Sequence, residues 1–445
     1  MNLENKKVLV LGFSKSGISA AKYLKSVNAD VYITEYREET KEDRENIDEL
    51  LNLGINIEFG GHSDEFINGS YIAVTSPGIA PKTEIMQKLK NAGIDVISEI
   101  ELAYLNTKKP FVAITGTNGK TTTTALTAHI LSKKYKAIPC GNYGKPPCDL
   151  LYDDLDYFVC ECSSFQLQYS PSFMPEISVF TNFTPDHIDW HEGLENYFRA
   201  KSKIFKSPKF SVLNAKDEKL LELSKTAGGK VFMFDGNIGD NCSYIKNDAI
   251  YFKEDGVEEE IITLKDCPLI GNHNYQNVMC ALICAKLEGI SNKDIRDAIM
   301  SFKVPEHRLE KFAQIGKTVF YNDSKATNPE ASLVAINSFN DCNVSLIAGG
   351  RDKNTDLGEF CDAVKQHINS VILIGEAADR FEENLKNNGF QNIIRENSIE
   401  AAIDKSIELE PDVVLLSPAC ASFDMFSGYE ERGRVFKEYV LSKTA

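Results

Sequence analysis

Short runs of valine, isoleucine and leucine, each ending in small or polar residues, recur along the whole chain and constrain its fold. Each run has the length of one strand, and helix-like stretches such as residues 14–27 separate the runs. Strands that are apolar on both faces belong inside parallel sheets, whose carboxyl ends face the ligand cleft. The clearest runs are KKVLVLGF (6–13), ADVYITE (29–35), YIAVTSPG (71–78), IDVIS (94–98), FVAI (111–114), LDYFVCE (155–161), EISVFTNF (176–183), KTVFYND (317–323), NVSLIAGG (343–350), SVILIGE (370–376) and PDVVLLSPA (411–419).

The strand pattern restarts twice, which divides the chain into three regions. The segment NTKKP (106–110) ends the first region, and SFKVPEHRLEKF (301–312) ends the second. Each region is long enough to bury a core of its own. We predict an α/β protein with a Rossmann-like N-terminal domain (1–108), a central domain with a P-loop ATPase-like, mostly parallel sheet (109–304) and a Rossmann-like C-terminal domain (305–445).

The composition is typical of a soluble globular protein, with 42% hydrophobic and 26% charged residues. A formal net charge of −16 argues against nucleic acid as a partner. The 11 cysteines are scattered without paired CxxC motifs, which indicates reduced thiols rather than structural zinc. The first residues lack the apolar core of a signal peptide, and no run has the length of a membrane span. We expect a monomeric cytoplasmic protein without membrane insertion.

The first strand leads into a glycine loop, Gly12 to Gly17, that is an incomplete dinucleotide fingerprint. Ser14 stands where GxGxxG has its second glycine, the residue that lets the backbone approach a pyrophosphate. Glu35 ends the second strand, where an acid usually meets a ribose hydroxyl. A tight turn without a ligand and a nucleotide loop both remain open here. If the loop is functional, its sequence favours a UDP group over NAD.

A second glycine loop, GTNGKT (116–121), gives the strongest indication of function. It lies between the strand 111–114 and the helix-like KTTTTALTAHIL (120–131), so backbone N–H groups at the helix start would face phosphates. Lys120 would reach the β- and γ-phosphates and the Thr121 hydroxyl would reach Mg²⁺. The loop is shorter than the standard P-loop. A threonine-rich helix cap would explain the threonines but not the Gly-Lys-Thr order, so we predict phosphate binding.

Two neighbouring strands end in residues suited to a cation. Glu161 ends one strand, and PDHIDWH (185–191) follows the next. In a parallel sheet these ends share one edge, so Glu161 and His187 are expected near Thr121. A carboxylate and an imidazole suit Mg²⁺ or Mn²⁺, whereas zinc would need more nitrogen or sulfur ligands.

Taken together, these motifs resemble the Mur ligases, ATP-dependent amide-forming enzymes of peptidoglycan precursor synthesis. The short GTNGKT loop looks like that family's variant of the P-loop. The resemblance covers the whole chain, and its C-terminal motifs look like those of the D-glutamate-adding members. The further matching motifs are TNFTPDHID (181–189), GNHNYQN (271–277), PEHRLE (305–310), NDSKATNPEA (322–331), AGGRDK (348–353) and SPACASFDMFSGYEERG (417–433).

The resemblance implies a reaction and its substrates. The carboxylate of UDP-N-acetylmuramoyl-L-alanine would attack the γ-phosphate of ATP to give an acyl phosphate, and the amine of D-glutamate would then displace phosphate. Two Mg²⁺ ions are implied, with Mn²⁺ as an alternative. Thr121 and Glu161 would bind one ion, and His187 would bind the other together with a carbamylated Lys201. The implied catalytic residues are Lys120, His187 and Lys201.

The resemblance also assigns three groups of binding residues. ATP would contact Gly116, Thr117, Asn118, Gly119, Lys120, Thr121, Thr122, Asn274, Asn277, Arg308, Asp323 and Lys325. The UDP-linked substrate would contact Ser14, Lys15, Ser16, Glu35, Arg37, Ser76, Gly78 and Asn142. D-Glutamate would contact Thr327, Lys353, Ser422, Phe423 and Tyr429. The chain departs from the expected pattern at Lys15, Glu35 and Asn354.

Three other functions agree less well with these motifs. A folylpolyglutamate synthase would share the loop, but DSKATN together with SPACASFD is not expected there. A nucleotide-binding oxidoreductase would need an intact GxGxxG, which the sequence lacks. A non-catalytic module that senses ATP would not need Lys201 and His187 in this arrangement.

Overall fold

The computed structural model describes residues 1–339 and 342–444, and it confirms the predicted α/β fold built on mostly parallel sheets. The described residues form two compact units. One unit comprises Met1–Pro268 and Gln276–Phe302, and the other comprises Leu269–Tyr275 and the chain from Lys303 onward. The first unit contains two sheets and the second contains one. The domain boundaries at 108/109 and 304/305 stay a prediction.

The first sheet of the first unit is a Rossmann-like, parallel sheet. Its elements are β1 (Lys7–Leu11), α1 (Lys15–Ser26), β2 (Asp30–Thr34), α2 (Arg44–Asn52), β3 (Asn56–Glu58), α3 (Asp64–Ile67), β4 (Ile72–Thr75), α4 (Glu84–Asn91), β5 (Val96–Ser98) and α5 (Glu99–Leu105). The strand order is β3-β2-β1-β4-β5. The order reverses between β1 and β4, which opens a crevice at the carboxyl ends of those strands, where α/β sheets bind ligands.

The second sheet of the first unit is mostly parallel and places β6 near its centre. Its strand order is β14-β13-β12-β11-β10-β9-β6-β8-β7, and β6 pairs in parallel with both β8 and β9. The elements are β6 (Phe111–Thr115), α6 (Lys120–Leu131), β7 (Ala137–Gly141), β8 (Tyr157–Glu161), α7 (Ser164–Gln168), β9 (Ile177–Phe180), α8 (Ile188–His191), α9 (Leu194–Ser202), β10 (Phe210–Asn214), α10 (Glu218–Ser224), β11 (Lys230–Phe234), β12 (Cys242–Lys246), β13 (Ala249–Glu254), β14 (Val257–Thr263), α11 (Asn272–Leu287) and α12 (Asn292–Ser301).

The β6 strand is buried along its whole length, as its apolar sequence predicts. Phe111 at its start stacks on Phe158 of β8, with ring centroids 4.6 Å apart. At the far edge, β12, β13 and β14 form antiparallel hairpins that the sequence analysis did not identify. The parallel centre of the sheet therefore carries β6, β8 and β9 with their carboxyl ends at one edge.

The second unit is a Rossmann-like sheet with one antiparallel edge strand. Its elements are β15 (Glu310–Ile315), β16 (Thr318–Asn322), α13 (Pro329–Ile336), β17 (Val344–Gly349), α14 (Gly358–His367), β18 (Ser370–Ile374), α15 (Ala378–Asn387), β19 (Ile393–Arg395), α16 (Ile399–Glu408), β20 (Val413–Leu416) and α17 (Tyr429–Ser442). The strand order is β15-β16-β20-β17-β18-β19, and among the described strands of this sheet only the β15–β16 pair is antiparallel. In the residues that the structure describes, no helix is long and apolar enough to cross a membrane.

Candidate active site

The glycine loop between β6 and α6 has the geometry of a phosphate-binding loop. Gly119 adopts φ +81° at the N-cap of α6, a left-handed conformation that favours glycine. Gly116 has φ +147°, and a Cβ there would lie 1.9 Å from the Thr181 hydroxyl oxygen. The Asn118 N–H donates to Oδ1 of Asn182 at 2.9 Å, which fixes the loop against the segment after β9. The loop thus presents the N-terminus of a helix of 12 residues, with its N–H groups and dipole, to an anion.

The Lys120 side chain folds back over this loop. Its ammonium donates to the carbonyl oxygens of Gly116, at 3.0 Å, and Thr117, at 2.8 Å. The side chain therefore stays within reach of an anion held by the loop. A point charge in this place suits the β- and γ-phosphates of a nucleotide.

Thr121 and Glu161 lie in hydrogen-bond contact, as expected for two neighbouring parallel strand ends. The Thr121 hydroxyl donates to Glu161 Oε2 at 2.7 Å, and both residues are buried. The Asn142 amide donates to the other carboxylate oxygen, Oε1, also at 2.7 Å. Because a hydroxyl and a carboxylate are hard oxygen ligands, this pair fits a Mg²⁺ ion.

Lys201 is a buried lysine beneath the same loop, although its sequence context looked like that of a solvated helix residue. It is 2% exposed, and its amine donates to the carbonyl oxygen of Gly116 at 2.5 Å. Burial, and then the charge of Lys120, hold the pKa of Lys201 well below its ordinary value. A lowered pKa favours the neutral amine, which is the reactive form of lysine.

The segment after β9 carries His187 on an aromatic cluster formed by Phe165, His187, Trp190, His191 and Tyr197. His187 has φ +51° and is exposed, and its ring lies 4.7 Å from that of Phe165. Although part of the side chain is exposed, partial burial against the cluster lowers the pKa of His187; the charge of Asp186 opposes this shift, and the charges of Lys201 and Lys120 add to it. A neutral imidazole is the form that binds a metal.

His191 connects this segment to α7. Its Nε2 lies 2.9 Å from the Ser164 hydroxyl, and burial lowers the pKa of His191 to about 4. The segments that follow β8 and β9 are therefore held together by a contact that the sequence analysis did not predict.

The metal-binding prediction fits these residues only in part. Thr121 and Glu161 supply oxygen atoms that suit Mg²⁺. Lys201 as a free amine donates a hydrogen bond, so it would become an oxygen ligand only after carbamylation. No group of three or more His, Cys, Asp or Glu side chains suited to a metal occurs in residues 1–339 and 342–444.

A cavity of about 720 Å³ opens at the carboxyl edge of the first sheet, where the order of β1 and β4 reverses. Four of the residues predicted for the UDP-linked substrate line it: Ser14, Glu35, Ser76 and Gly78. The Ser14 and Ser76 hydroxyl oxygens lie 2.7 Å apart. Glu35 Oε2 accepts the Phe13 N–H at 2.7 Å, so this carboxylate braces the glycine loop.

The other four residues predicted for this substrate lie outside the cavity lining. The Lys15 ammonium donates to the Gly144 carbonyl oxygen at 2.8 Å. Arg37 donates to both carboxylate oxygens of Asp43, at 2.5 and 2.8 Å, and holds the pKa of Asp43 well below its usual range. Ser16 contacts Ser14, and Asn142 contacts Glu161 as described above. Sequence reasoning did not single out several residues that do line the cavity: Tyr36, His62, Ile79, Thr83 and Lys88.

The two asparagines predicted for ATP occupy α11. Asn277 is buried, its Oδ1 accepts the Thr123 hydroxyl at 3.0 Å, and a Cβ on Gly119 would lie 2.4 Å from that oxygen. Asn277 therefore packs directly against the phosphate loop. The Asn274 amide donates to the Ile270 carbonyl oxygen at 2.9 Å.

In the second unit, Asp323 is a buried carboxyl at the end of β16. It accepts the Leu309 N–H at 3.1 Å and the Ser417 hydroxyl at 2.8 Å. Burial raises the pKa of Asp323 to about 7, and the charge of Arg308 opposes this shift. The Lys325 ammonium donates to the Tyr429 hydroxyl at 2.6 Å and lies 4.2 Å from the centre of its ring.

The residues predicted for D-glutamate all follow the carboxyl ends of strands β16, β17 and β20 in the third sheet. The Lys353 ammonium donates to the Thr327 carbonyl oxygen at 3.3 Å. Asn328 caps α13 by accepting the Ala331 N–H at 2.8 Å, and Pro329 opens the helix, as the sequence predicts. Ser422 is buried, whereas Phe423 is exposed.

Arg432 joins two of these loops, and sequence reasoning did not single it out. It is 1% exposed. It donates to Ser324 Oγ at 2.9 Å, to the Ser324 carbonyl oxygen at 2.8 Å and to the Cys420 carbonyl oxygen at 3.1 Å. Burial lowers the pKa of Arg432 to about 10. The one sequence signal that could have indicated a role for Arg432 is its place in the motif 417–433, directly before Gly433.

Comparison with known proteins gives three matches to family models along the chain. The description "Mur ligase MurD-like, N-terminal domain" matches residues 6–98, "Mur ligase middle domain" matches 114–285 and "Mur ligase, glutamate ligase domain" matches 307–420.

Curated relatives named UDP-N-acetylmuramoylalanine--D-glutamate ligase are similar over the full length. The protein from Thermoanaerobacter pseudethanolicus is 39% identical over 454 aligned residues, which cover 99% of each chain. The protein from Acidobacterium capsulatum is 38% identical, over 99% of this chain and 97% of its own. The protein from Clostridioides difficile is 37% identical, over 99% of each chain.

Solved structures share the fold at lower identity. UDP-N-acetylmuramate-alanine ligase MurC from Thermotoga maritima has a TM-score of 0.61 at 20% identity, covering 98% of this chain and 99% of that one. MurF from Acinetobacter baumannii has a TM-score of 0.62 at 17% identity, covering 97% and 93%. At these identities the likeness concerns the fold alone.

Proposed function

Because this chain belongs to the Mur ligase family, we propose that it is the ATP-dependent ligase that adds D-glutamate to UDP-N-acetylmuramoyl-L-alanine in peptidoglycan precursor synthesis. The observation that carries this proposal is the similarity over 99% of the chain to relatives that bear this activity in their names. The oxidoreductase and ATP-sensor alternatives have no comparable support. Buried thiols such as Cys140, Cys160 and Cys361 are free, which fits the reducing cytoplasm.

The proposed reaction has two steps, and the atoms balance in each. A carboxylate oxygen of the alanine attacks the γ-phosphorus of ATP, the bond from that phosphorus to the bridging oxygen breaks, and ADP leaves. The amine of D-glutamate then attacks the acyl carbon, a proton leaves the nitrogen, and phosphate departs as the amide forms.

The phosphate loop would serve the first step. Its helix N-terminus would hold the phosphates, and Lys120 would offset the charge that develops on the transferring phosphoryl group. Mg²⁺, held by Thr121 and Glu161, would supply further charge stabilisation. Asn277 packs under Gly119, so it would keep the loop in shape while the nucleotide binds.

Lys201 would become an anionic ligand by reaction with carbon dioxide. The neutral amine attacks the carbon atom, a nitrogen–carbon bond forms and one proton is released, leaving a carbamate. Support for this step comes from the burial of Lys201 and from its lowered pKa beside Lys120. The carbamate would then join His187 at a second metal ion, the arrangement that the family resemblance implies.

D-Glutamate would bind at the loops that carry Thr327, Lys353 and Ser422. A dicarboxylate needs a cation and several hydroxyl or N–H donors. Lys353 supplies the cation, and the start of α13 beside Thr327 supplies N–H groups. A neutral amino acid would leave Lys353 without its counter-charge, which disfavours D-glutamine and D-alanine.

The test is phosphate release from ATP with UDP-N-acetylmuramoyl-L-alanine and one amino acid at a time. We expect strong preference for D-glutamate over L-glutamate, D-glutamine and D-alanine. In the Lys353→Ala variant the KM for D-glutamate should rise far more than the KM for ATP. Equal use of D-alanine by the wild type, or an unchanged glutamate KM in the variant, would contradict the assignment.

A further inference from the structure

Three loops at the carboxyl edge of the third sheet are tied to one another. They follow β17, β18 and β20, and the first and last of them carry Lys353 and Ser422. The Arg351 N–H donates to the Ala421 carbonyl oxygen at 2.8 Å. The loop after β18, residues 375–377, and the helix α15 that follows it contain none of the predicted site residues.

Arg380, in the first turn of α15, clamps the loop that carries Lys353. Its Nε and Nη2 donate to the two carboxylate oxygens of Asp352, at 2.6 and 2.7 Å. Its Nη1 donates to the Thr355 carbonyl oxygen at 2.9 Å. One guanidinium therefore holds the residues on both sides of Lys353. Two parallel charge-assisted bonds fix orientation as well as distance.

The clamped loop has a sharp turn immediately after Lys353. Asn354 adopts φ +52°, a left-handed conformation that asparagine tolerates, and its N–H donates to Asp352 Oδ1 at 2.9 Å. Asp352 thus accepts hydrogen bonds from Arg380 and from the turn. Lys353 itself is exposed, and its ammonium donates a hydrogen bond of 3.3 Å to the Thr327 carbonyl oxygen. The turn and the clamp, more than that contact, define where the ammonium lies.

The loop after β18 also reaches the opposite side of this site. The Glu376 N–H donates to Asp424 Oδ2 at 3.0 Å, two residues beyond Ser422. The segment from Glu376 to Arg380 is therefore attached to both loops that are proposed to contact the amino acid.

We propose that Arg380 is a positioning residue for the amino-acid substrate, holding the loop 351–355 so that Lys353 is preorganised for a carboxylate. This inference rests on the proposed function, because it assumes that Lys353 binds D-glutamate. An ordered cation binds without paying the entropy of arranging its loop, so loss of the clamp weakens binding of this one substrate. None of the residues predicted for ATP or for the UDP-linked substrate lies in that loop, so binding of those two substrates should be unaffected.

The kinetic test compares Arg380→Gln and Arg380→Lys with a matched control, Arg395→Gln. Arg395 also pairs with acids of α15, Asp379 and Glu382, but it does not contact the clamped loop. We expect the KM for D-glutamate to rise about tenfold or more in Arg380→Gln, with the KM for ATP and the UDP-linked substrate unchanged. The KM for D-glutamate in Arg380→Lys should lie between those of the wild type and Arg380→Gln, because a lysine cannot make both bonds to Asp352. The KM values of Arg395→Gln should match those of the wild type.

A second measurement follows the loop without any substrate. Backbone amides of residues 352–355 should exchange with deuterium faster in Arg380→Gln than in the wild type and in Arg395→Gln. Equal exchange together with an unchanged glutamate KM would overturn the inference, as would a parallel rise of all three KM values. If the wild type itself did not use D-glutamate, the proposed function would fail. Faster exchange in Arg380→Gln would then still show that Arg380 orders the loop 351–355, but the assignment of D-glutamate to that loop would be wrong.

Discussion

The carbonyl oxygen of Gly116 accepts hydrogen bonds from two lysine side chains, Lys120 and Lys201. One lysine is recognisable from sequence because it stands in register in a glycine loop. The other is not, because a helix lysine is ordinarily solvated and its burial arises from the packing of α9 under the loop. Only the family resemblance drew attention to Lys201. The contacts of Arg380 could not be predicted from the sequence either, because they also arise from tertiary packing: its partner Asp352 lies 28 positions away in the chain.

Replacing Lys120 with alanine should abolish turnover and leave the fold intact. The N–H groups of the loop remain, but the charge that offsets the transferring phosphoryl group is lost, at a cost on the order of a hundred- to a thousand-fold in kcat. Phosphate release measures the loss, and circular dichroism checks the fold. Lys133→Ala, an exposed lysine just past the same helix, is the control. Wild-type turnover in a folded Lys120→Ala protein would exclude the phosphate role.

Replacing Lys201 with alanine should also inactivate the enzyme, and acetate, formate or bicarbonate should restore part of the activity. The small anion would occupy the space of the missing carbamate and supply its oxygen. Lys203→Ala is the matched control, because Lys203 is a half-buried lysine nearby that donates to the Gln168 carbonyl oxygen. An unmodified Lys201 amine in a high-resolution structure with all substrates bound would count against carbamylation.

At the scale of elements, most strands buried on both faces were predicted from the sequence, although β10 was not, and the half-exposed edge strand β14 was not predicted either. The runs that became β1, β6 and β17 are mostly apolar, as expected for strands of a parallel sheet that is covered on both faces. The strand β14 contains Glu258, Glu259 and Glu260, so its sequence lacks the apolar run that would predict a strand. It forms because it pairs with β13 at the sheet edge, a contact that no local pattern reveals.

The helix α5 carries a buried carboxyl that should make stability depend on pH. Glu99 Oε1 accepts the Cys148 N–H at 2.6 Å, and Oε2 has no hydrogen-bond partner within the described chain. Burial raises the pKa of Glu99 from 4.5 to about 7. Between these values the folded state binds the proton more tightly than the unfolded state, so this group lowers stability as pH rises through the window.

Glu99→Gln should therefore gain stability relative to the wild type between pH 5 and pH 8. A shift of this size corresponds to up to ~3 kcal/mol in the free energy of unfolding. Urea denaturation at both pH values measures it, and Glu4→Gln, at an exposed carboxyl, is the control. A stability difference between Glu99→Gln and wild type that is the same at both pH values would refute the raised pKa.

At the scale of the whole molecule, sequence pattern was enough to predict the class of every sheet. The three regions of the strand pattern correspond to three sheets, of which the first is parallel and the other two are mostly parallel. The residues that line the cavity at the first sheet were predicted only in part. The cavity at the first sheet includes Tyr36 and His62, which the pattern of glycines and acids does not mark.

The molecule as a whole should be stabilised by the UDP-linked substrate and unaffected by NAD. Ser14 replaces the glycine that a dinucleotide pyrophosphate needs, while the cavity beside it is large enough for a nucleotide. A ligand at a hundred times its Kd adds about 2.7 kcal/mol to the free energy of unfolding. Thermal denaturation with each ligand measures the effect. A rise in Tm with NAD and none with the UDP-linked substrate would reverse the assignment.

The aromatic cluster beside His187 has a practical consequence. Trp190 is the single tryptophan of the sequence, and its ring lies 4.6 Å from Phe165 and 4.5 Å from His191. Excitation of this indole therefore gives emission from one known place, next to the segment proposed to bind the second metal ion. Nucleotide and cation binding should change its intensity on the millisecond scale, so stopped-flow fluorescence of the unmodified protein can order the arrival of ligands before any bond is made.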